Sequence, residues 1–237
     1  MSELGRELRE RQTSRRVYLI RHGSTEMNSE DRIRGQCNVP LSAEGREEVA
    51  RLGALLRESN IGFVICSDLD RAVETAESVA ANCLASLSKT ALLRPWNVGK
   101  FTGRPASEVT PRLVELARDR PNWPAPGGES FNSFKFRAFQ GVRVALHASE
   151  APLALVSHHR VERLLASWLA AGCQSDLTLD LNVMFTRGEP PAHAEMLELP
   201  LAALEDGEFP GGLAGESVQG PSSADGSLTL AGELPYG

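Results

Sequence analysis

Residues 17–25 read Val-Tyr-Leu-Ile-Arg-His-Gly-Ser-Thr, four apolar residues giving way at once to a cation, an imidazole and a glycine. A run this short and this apolar, ended by polar residues, reads as a strand buried on both faces. The arrangement recurs twice. Residues 61–66 (IGFVIC) lead into Ser67, with Arg71 a turn further on, and residues 153–156 (LALV) lead into Ser157-His158-His159-Arg160.

Helical patterns fill the gaps between these runs. Ser42 is placed to cap a helix in which Val49, Leu52, Leu55 and Leu56 line one face. An alanine-rich helix is expected over about 68–84, and another over about 130–148 with Phe131, Phe134, Ala138, Val142 and Ala145 in one stripe. A further helix follows the 153–156 run, carries Val161, Leu164, Leu165 and Trp168, and ends near Gly172. Strands alternating with helices predict an α/β sandwich around a mostly parallel sheet, to which residues 194–199 (AEMLEL) add a late edge strand.

The 237 residues suit one ordinary domain with chain to spare at the ends, and 41% apolar and 24% charged residues are globular proportions. Residues 1–14 read as a solvated tail. Residues 201–237 lose periodicity and fill with Gly, Pro, Ser and Glu, so they are expected to stay largely disordered, leaving 15–200 as the folded domain. A net charge of −6 argues against a general nucleic-acid binder, which needs a clustered basic face. No window holds the roughly 18 apolar residues of a membrane span, and the first 16 residues lack the apolar core of a secretory signal. Cysteines 37, 66, 83 and 173 show no paired spacing and read as reduced thiols, so the expected location is cytoplasmic.

In open α/β sheets ligands bind beyond the carboxyl ends of the strands. Three such ends here deliver Arg21, His22, Arg71 and His158 toward one rim. Two planar guanidiniums suit bidentate contact with phosphoryl oxygens, and the helix starting after His158 turns its free N–H groups toward the same place. Asn28 adds a neutral donor from the loop. A histidine in that setting is a candidate nucleophile when its attacking nitrogen is unprotonated. The second histidine, held protonated by the bound phosphate, stabilises charge on the transferring oxygens. The positive charge is then supplied without a metal or other cofactor.

Each residue has a plainer reading when taken alone. A lone His at a strand end usually reaches solvent or a carbonyl, a lone Arg71 is a surface ion-pair partner, and Ser67 is a helix cap. His158-His159 lacks the nearby Asp, Glu or Cys that a metal site would need. His147 and His193 are assigned nothing. The weight lies in the coincidence of these groups after successive strands.

At this point the residues resemble the histidine phosphatase superfamily, with its phosphoglycerate-mutase-like fold. Arg21-His22-Gly23-Ser24-Thr25 with Asn28 is similar to that family's Arg-His-Gly-x-Thr-x-x-Asn signature. Gly35, Pro40-Leu41-Ser42 and Gly45 resemble its next motif, and Ser67 through Ala72 with Thr75-Ala76 resembles Ser-x-Leu-x-Arg-Ala-x-x-Thr-Ala. Gly127-Gly128-Glu129-Ser130 and Val156-Ser157-His158 resemble two more, all in the family's order. The resemblance implies a three-layer α/β/α fold and a phosphohistidine on His22. It implies a phosphate pocket of Arg21, Arg71 and His158 and no metal; Asn28, Ser24, Thr25 and His159 are further candidate substrate contacts. His159 stands where the family more often has Gly.

One departure matters for mechanism. The family's proton donor is a Glu in a Leu-Arg-Glu segment, and the corresponding stretch here reads Leu93-Arg94-Pro95. A positioned general acid contributes roughly 10²–10⁴-fold in rate. Its loss weighs most on poor leaving groups such as alkoxides, and Glu129 and Glu26 are the substitutes within the motifs. The expected activity is a metal-independent phosphoric monoester hydrolase favouring good leaving groups, acting on a small phosphorylated substrate or a phosphoprotein. The alternatives are a phosphoglycerate mutase and a catalytically weak phospho-ligand-binding protein. For a mutase, residues 103–126 are short for a cap, and their Arg104, Arg112, Arg118 and Arg120 read either as substrate contacts or as a solvated helix face.

Overall fold

Strand β1 (Val17–Arg21) lies between β4 (Leu153–Ser157), which pairs with it in parallel, and β5 (Met196–Leu199), which runs antiparallel along the edge. On the other side β4 pairs in parallel with β2 (Phe63–Ser67), and β2 with β3 (Ser86–Thr90), giving the order β3-β2-β4-β1-β5. This computed structural model describes residues 16–29, 31–173, 176–185, 194 and 196–199, apart from the side chains of Asn28, Ser29 and Leu197. The expected tails, 1–14 and 201–237, lie outside the described residues, as does His193.

The period-two alternation of the strands divides the core into two layers. Tyr18, Ile20, Val64, Cys66, Ala154 and Val156 face one side, where helices α1 (Ala43–Leu56) and α2 (Asp70–Cys83) cover them. Val17, Leu19, Phe63, Ile65, Leu153 and Leu155 face the other, under α3 (Ala106–Asp119), α4 (Phe131–Ala148) and α5 (His159–Ala170). A short helix, α6 (Leu181–Phe185), packs beside α5 and buries Met184. The architecture is a three-layer α/β/α sandwich with one antiparallel edge strand.

Local chemistry explains the elements. Ser42 caps α1 as expected, its hydroxyl accepting from the Gly45 N–H at 3.0 Å. Val49, Leu52 and Leu56 are buried, but Leu55 is 76% exposed, contrary to the expected stripe. At about 100° per residue, Leu55 falls roughly a quarter-turn outside the stripe that also buries Gly45 and Gly53. Helix α3 and strand β3 correspond to no expected element. The Cys37, Cys66, Cys83 and Cys173 thiols are free. Among the described residues no helix is long and apolar enough to cross a membrane.

Candidate active site

The register of the two central strands builds the site. Arg21 lies opposite Ser157, so the next residue on each strand is a histidine, and the His22 N–H extends the ladder to the Ser157 carbonyl at 3.1 Å. The rings of His22 and His158 consequently stand 5.1 Å apart between centroids, tilted by 59°. Both are buried. Strand β2 ends beside β4, and α2 begins three residues after Ser67, which brings Arg71 from its first turn to the His22 ring.

The hydrogen bonds of His22 assign its tautomer. Nδ1 lies 2.8 Å from the Gly23 carbonyl, which can only accept, so Nδ1 carries the proton. In the neutral ring Nε2 then holds a lone pair, and the Arg71 Nε–H donates to it at 3.2 Å. Arg71 is fixed in turn by donating from Nη1 to the Cys37 carbonyl at 2.7 Å. An unprotonated ring nitrogen thus faces a guanidinium whose residue is 2% exposed.

The loop after β1 is tied down from both sides. The Gly23 N–H donates to Thr75 Oγ1 at 3.1 Å, and that hydroxyl donates to the Arg71 carbonyl at 2.7 Å. Gly23 and Gly45 permit the close approach of this loop to α1. A Cβ on Gly45 would sit 2.0 Å from the Ser24 carbonyl oxygen, and one on Gly23 would sit 2.8 Å from the Gly45 carbonyl oxygen. The N–H and hydroxyl of Ser24 both donate to the Glu48 carboxylate at 2.8 Å.

Charge is concentrated and partly suppressed. Burial, and next the charge of Arg34, lower Arg71 to about 10, where it remains cationic at neutral pH. Burial is also the main reason His158 lies well below its ordinary value, followed by the charges of Arg71, His22, Arg137 and Arg21. Both ring nitrogens of His158 are buried without a hydrogen-bond partner among the described residues. Such a group costs stability unless an acceptor arrives, and an anion seated among these cations would supply one. No cluster of three or more His, Cys, Asp or Glu side chains fit to hold a metal occurs among the described residues.

The structure brings His22, Arg71 and His158 into direct proximity, and places Arg21 at the end of β1, 8% exposed. Ser24 faces Glu48 instead, Thr25 is buried, and His159 is half-buried at the start of α5. Asn28 lies in a 3-10 helix (Glu26–Ser29), and its side chain is outside the described residues. Of the two candidate proton donors, Glu26 is exposed, and Glu129 is engaged by Arg137 at 2.6 Å and by the Asn97 N–H at 2.8 Å. Pro95 is buried, its carbonyl accepting from Gln36 Nε2 at 2.9 Å. Arg104, Arg112, Arg118 and Arg120 pair with Glu108, Glu115, Asp119 and Glu115 on an exposed face around α3.

Sequence reasoning gave no role to Thr75, to the Cys37 carbonyl or to Arg137. Thr75 lies one turn after Arg71 on the same helix face, a spacing from which its support could have been inferred. The Cys37 carbonyl contact spans 34 positions, and the carbonyls that Arg137 reaches lie 42 to 46 positions away.

A model of the histidine phosphatase superfamily (branch 1) matches residues 17–184. A protein described as probable phosphoglycerate mutase GpmB, from Salmonella choleraesuis, is 33% identical over 148 residues, covering 60% of this chain and 68% of its own length. Among solved structures, Bacillus stearothermophilus YhfR superposes with a TM-score of 0.61 at 27% identity, over 78% of this chain and 90% of its own. An Escherichia coli K-12 protein provisionally named an α-ribazole-5'-P phosphatase gives 0.56 at 27% identity, over 65% and 79%. Two of these relatives carry the names of a mutase and of a phosphatase.

Proposed function

The chain belongs to the histidine phosphatase superfamily (branch 1), and on that premise we propose that it is a phosphoric monoester hydrolase working through a phosphohistidine on His22. The observation that carries the reading is the orientation of His22, with Nδ1 held on the Gly23 carbonyl and Nε2 turned to Arg71 beside His158. In the first step Nε2 attacks phosphorus, an N–P bond forms, and the bond to the leaving oxygen breaks with its electron pair. In the second, water attacks phosphorus, the P–N bond breaks, its electron pair returns to Nε2, and inorganic phosphate departs. Arg21, Arg71 and a His158 that takes up a proton with the anion balance the charge on the transferring oxygens. Asn28, Thr25 and His159 are proposed substrate contacts at the mouth, while Ser24 reaches substrate only if it exchanges Glu48.

Pro95 stands, in this reading, where relatives carry the proton-donating Glu. The leaving oxygen then departs without a positioned acid, which favours aryl phosphates, acyl phosphates, phosphoanhydrides and phosphohistidine over alkyl phosphates. A small phosphorylated molecule or a phosphoprotein is the expected partner, without a metal cofactor. The test is hydrolysis of p-nitrophenyl phosphate with chelator present, which His22→Ala should abolish. Undiminished turnover in that variant would remove the mechanism.

The likeness to GpmB favours a second reading, a mutase. Interconversion of phosphoglycerates, stimulated by bisphosphoglycerate and faster than hydrolysis of either, would establish it in place of the first.

A further inference from the structure

Helix α4 sends one long side chain toward the catalytic strand ends. The Arg137 Nη1 donates to the carbonyls of Ala91 at 3.2 Å, Leu92 at 2.8 Å and Arg94 at 3.0 Å. Its Nη2 donates to the Pro95 carbonyl at 3.3 Å and to Glu129 Oε1 at 2.6 Å, and its Nε donates to Glu129 Oε2 at 3.1 Å. The carbonyl that Arg137 omits, that of Leu93, accepts from the Ser157 hydroxyl at 2.8 Å. Ser157 immediately precedes His158. Every carbonyl from residue 91 to 95 is therefore held by one of two side chains, and the second ends the strand that presents His158.

We propose that Arg137 is a positioning residue of the catalytic centre, its guanidinium fixing residues 91–95 against the strand end that carries His158. A guanidinium suits the task because its planar fork carries five N–H donors, whereas an ammonium carries three from a single point. The Glu129 carboxylate steers the fork and keeps it turned toward the carbonyls. The ion pair is half-buried, with side-chain exposures of 20% and 18%. Arg137 also acts by charge. The charged and titratable groups that face His158 are Arg71 from α2, His22 and Arg21 from the end of β1, and Arg137 from α4. The proposal rests on the reading that His22 and His158 act on the phosphoryl group.

The test compares Arg137→Lys and Arg137→Met with the parent in the full chain, using p-nitrophenyl phosphate. Both variants should lose at least tenfold in kcat per folded molecule while KM stays within threefold. Lysine should fail to rescue, because one ammonium cannot span four carbonyls and a carboxylate. NMR titration supplies a readout indifferent to folding stability: the His158 imidazole should titrate higher in Arg137→Met than in Arg137→Lys, which keeps the charge. Should the Met variant not fold, the Lys variant decides alone through kcat. Parental kcat in the folded variants, whatever happens to KM or the thermal midpoint, would overturn the proposal and leave Arg137 a scaffold residue. His22→Ala, run alongside, separates the two levels. An active His22→Ala sinks the phosphohistidine reading, whereas an inactive one with parental Arg137→Lys sinks the positioning role alone.

Discussion

The Arg71 Nε–H points at the His22 Nε2 lone pair from 3.2 Å, so the unprotonated ring nitrogen and the buried guanidinium share one hydrogen bond. If His22 is the proposed nucleophile, that bond fixes the orientation of the nitrogen that would attack phosphorus. On that reading it would have to lengthen as a phosphoryl group enters, leaving the guanidinium to follow the oxygens.

Replacing Arg71 by Lys keeps the charge and discards the geometry. Arg71 uses Nε for His22 and Nη1 for the Cys37 carbonyl, a division of labour that one ammonium on a flexible stem cannot reproduce. Arg71→Lys is expected to lower kcat/KM by about 10²–10³-fold, the scale of losing a preorganised donor to transition-state charge. Steady-state kinetics with p-nitrophenyl phosphate, alongside circular dichroism to establish folding, will check this. A loss below fivefold would show that charge alone suffices.

Anion binding should draw in a proton. Burial first, and then neighbouring positive charge, hold His158 well below its ordinary value, so the ring is neutral at pH 7 before an anion arrives. A bound dianion favours the imidazolium and raises that value. Between the free and bound values, affinity must fall as pH rises, by up to about tenfold per unit. Sulfate, which does not titrate in this range, is the suitable probe. Calorimetry in two buffers of different ionisation enthalpy should report proton uptake in the parent and a reduced uptake in His158→Gln. Affinity independent of pH between 6 and 8, with no uptake, would contradict the assignment.

A stability gain is available away from the site. Leu84 ends α2 in the left-handed region, at φ 54° and ψ 35°, and is 94% exposed, so its side chain adds strain without burial. Asparagine tolerates that conformation far better. Leu84→Asn is expected to stabilise by about 0.5–1 kcal/mol, raising the melting temperature by roughly 2–4 °C for a domain of this size. Leu84 lies thirteen residues from Arg71, roughly 20 Å along the helix, and turnover should not change. Thermal denaturation decides the matter, and a lower melting temperature would show that the exposed leucine makes a contact of value.

The legibility of this chain in its sequence follows how local each signal is. The strands at β1, β2 and β4 announce themselves because burial on both faces demands an unbroken apolar run. Strand β3 does not, because the inward positions of Ser-Leu-Ser-Lys-Thr are Ser88 and Thr90, buried (5% and 3% exposed) without being apolar. Helix α3 is masked by Pro111 inside it, although Val109, Leu113 and Ala117 keep the spacing of a buried stripe. His22, Arg71 and His158 were legible because each follows a readable strand. Their convergence depends on β1 and β4 being neighbours, which only pairing reveals. Ser24 illustrates the limit: its place in the motif gives no hint that Glu48, twenty-four residues away, takes both its donors.

The sharpest chemical expectation concerns the leaving group. Glu129 is engaged by Arg137 and the Asn97 N–H, Asp68 is held by Arg94 through two contacts of 2.7 Å, and Glu26 is exposed. With Pro95 read at the donor position, negative charge must accumulate on the departing oxygen before any proton reaches it. The rate of phosphohistidine formation should therefore fall steeply across a series of aryl and alkyl phosphates as leaving-group pKa rises. Pro95→Glu should flatten that slope, with its largest gain, up to about 10²-fold, on the alkyl members. Because the Pro95 carbonyl already accepts from Gln36 and Arg137, the backbone there is held independently of the ring, which favours tolerance of the change. Single-turnover kinetics read this step apart from hydrolysis of the intermediate. A parental slope that is already shallow would mean that another group delivers the proton, and the consequence drawn from Pro95 would fall.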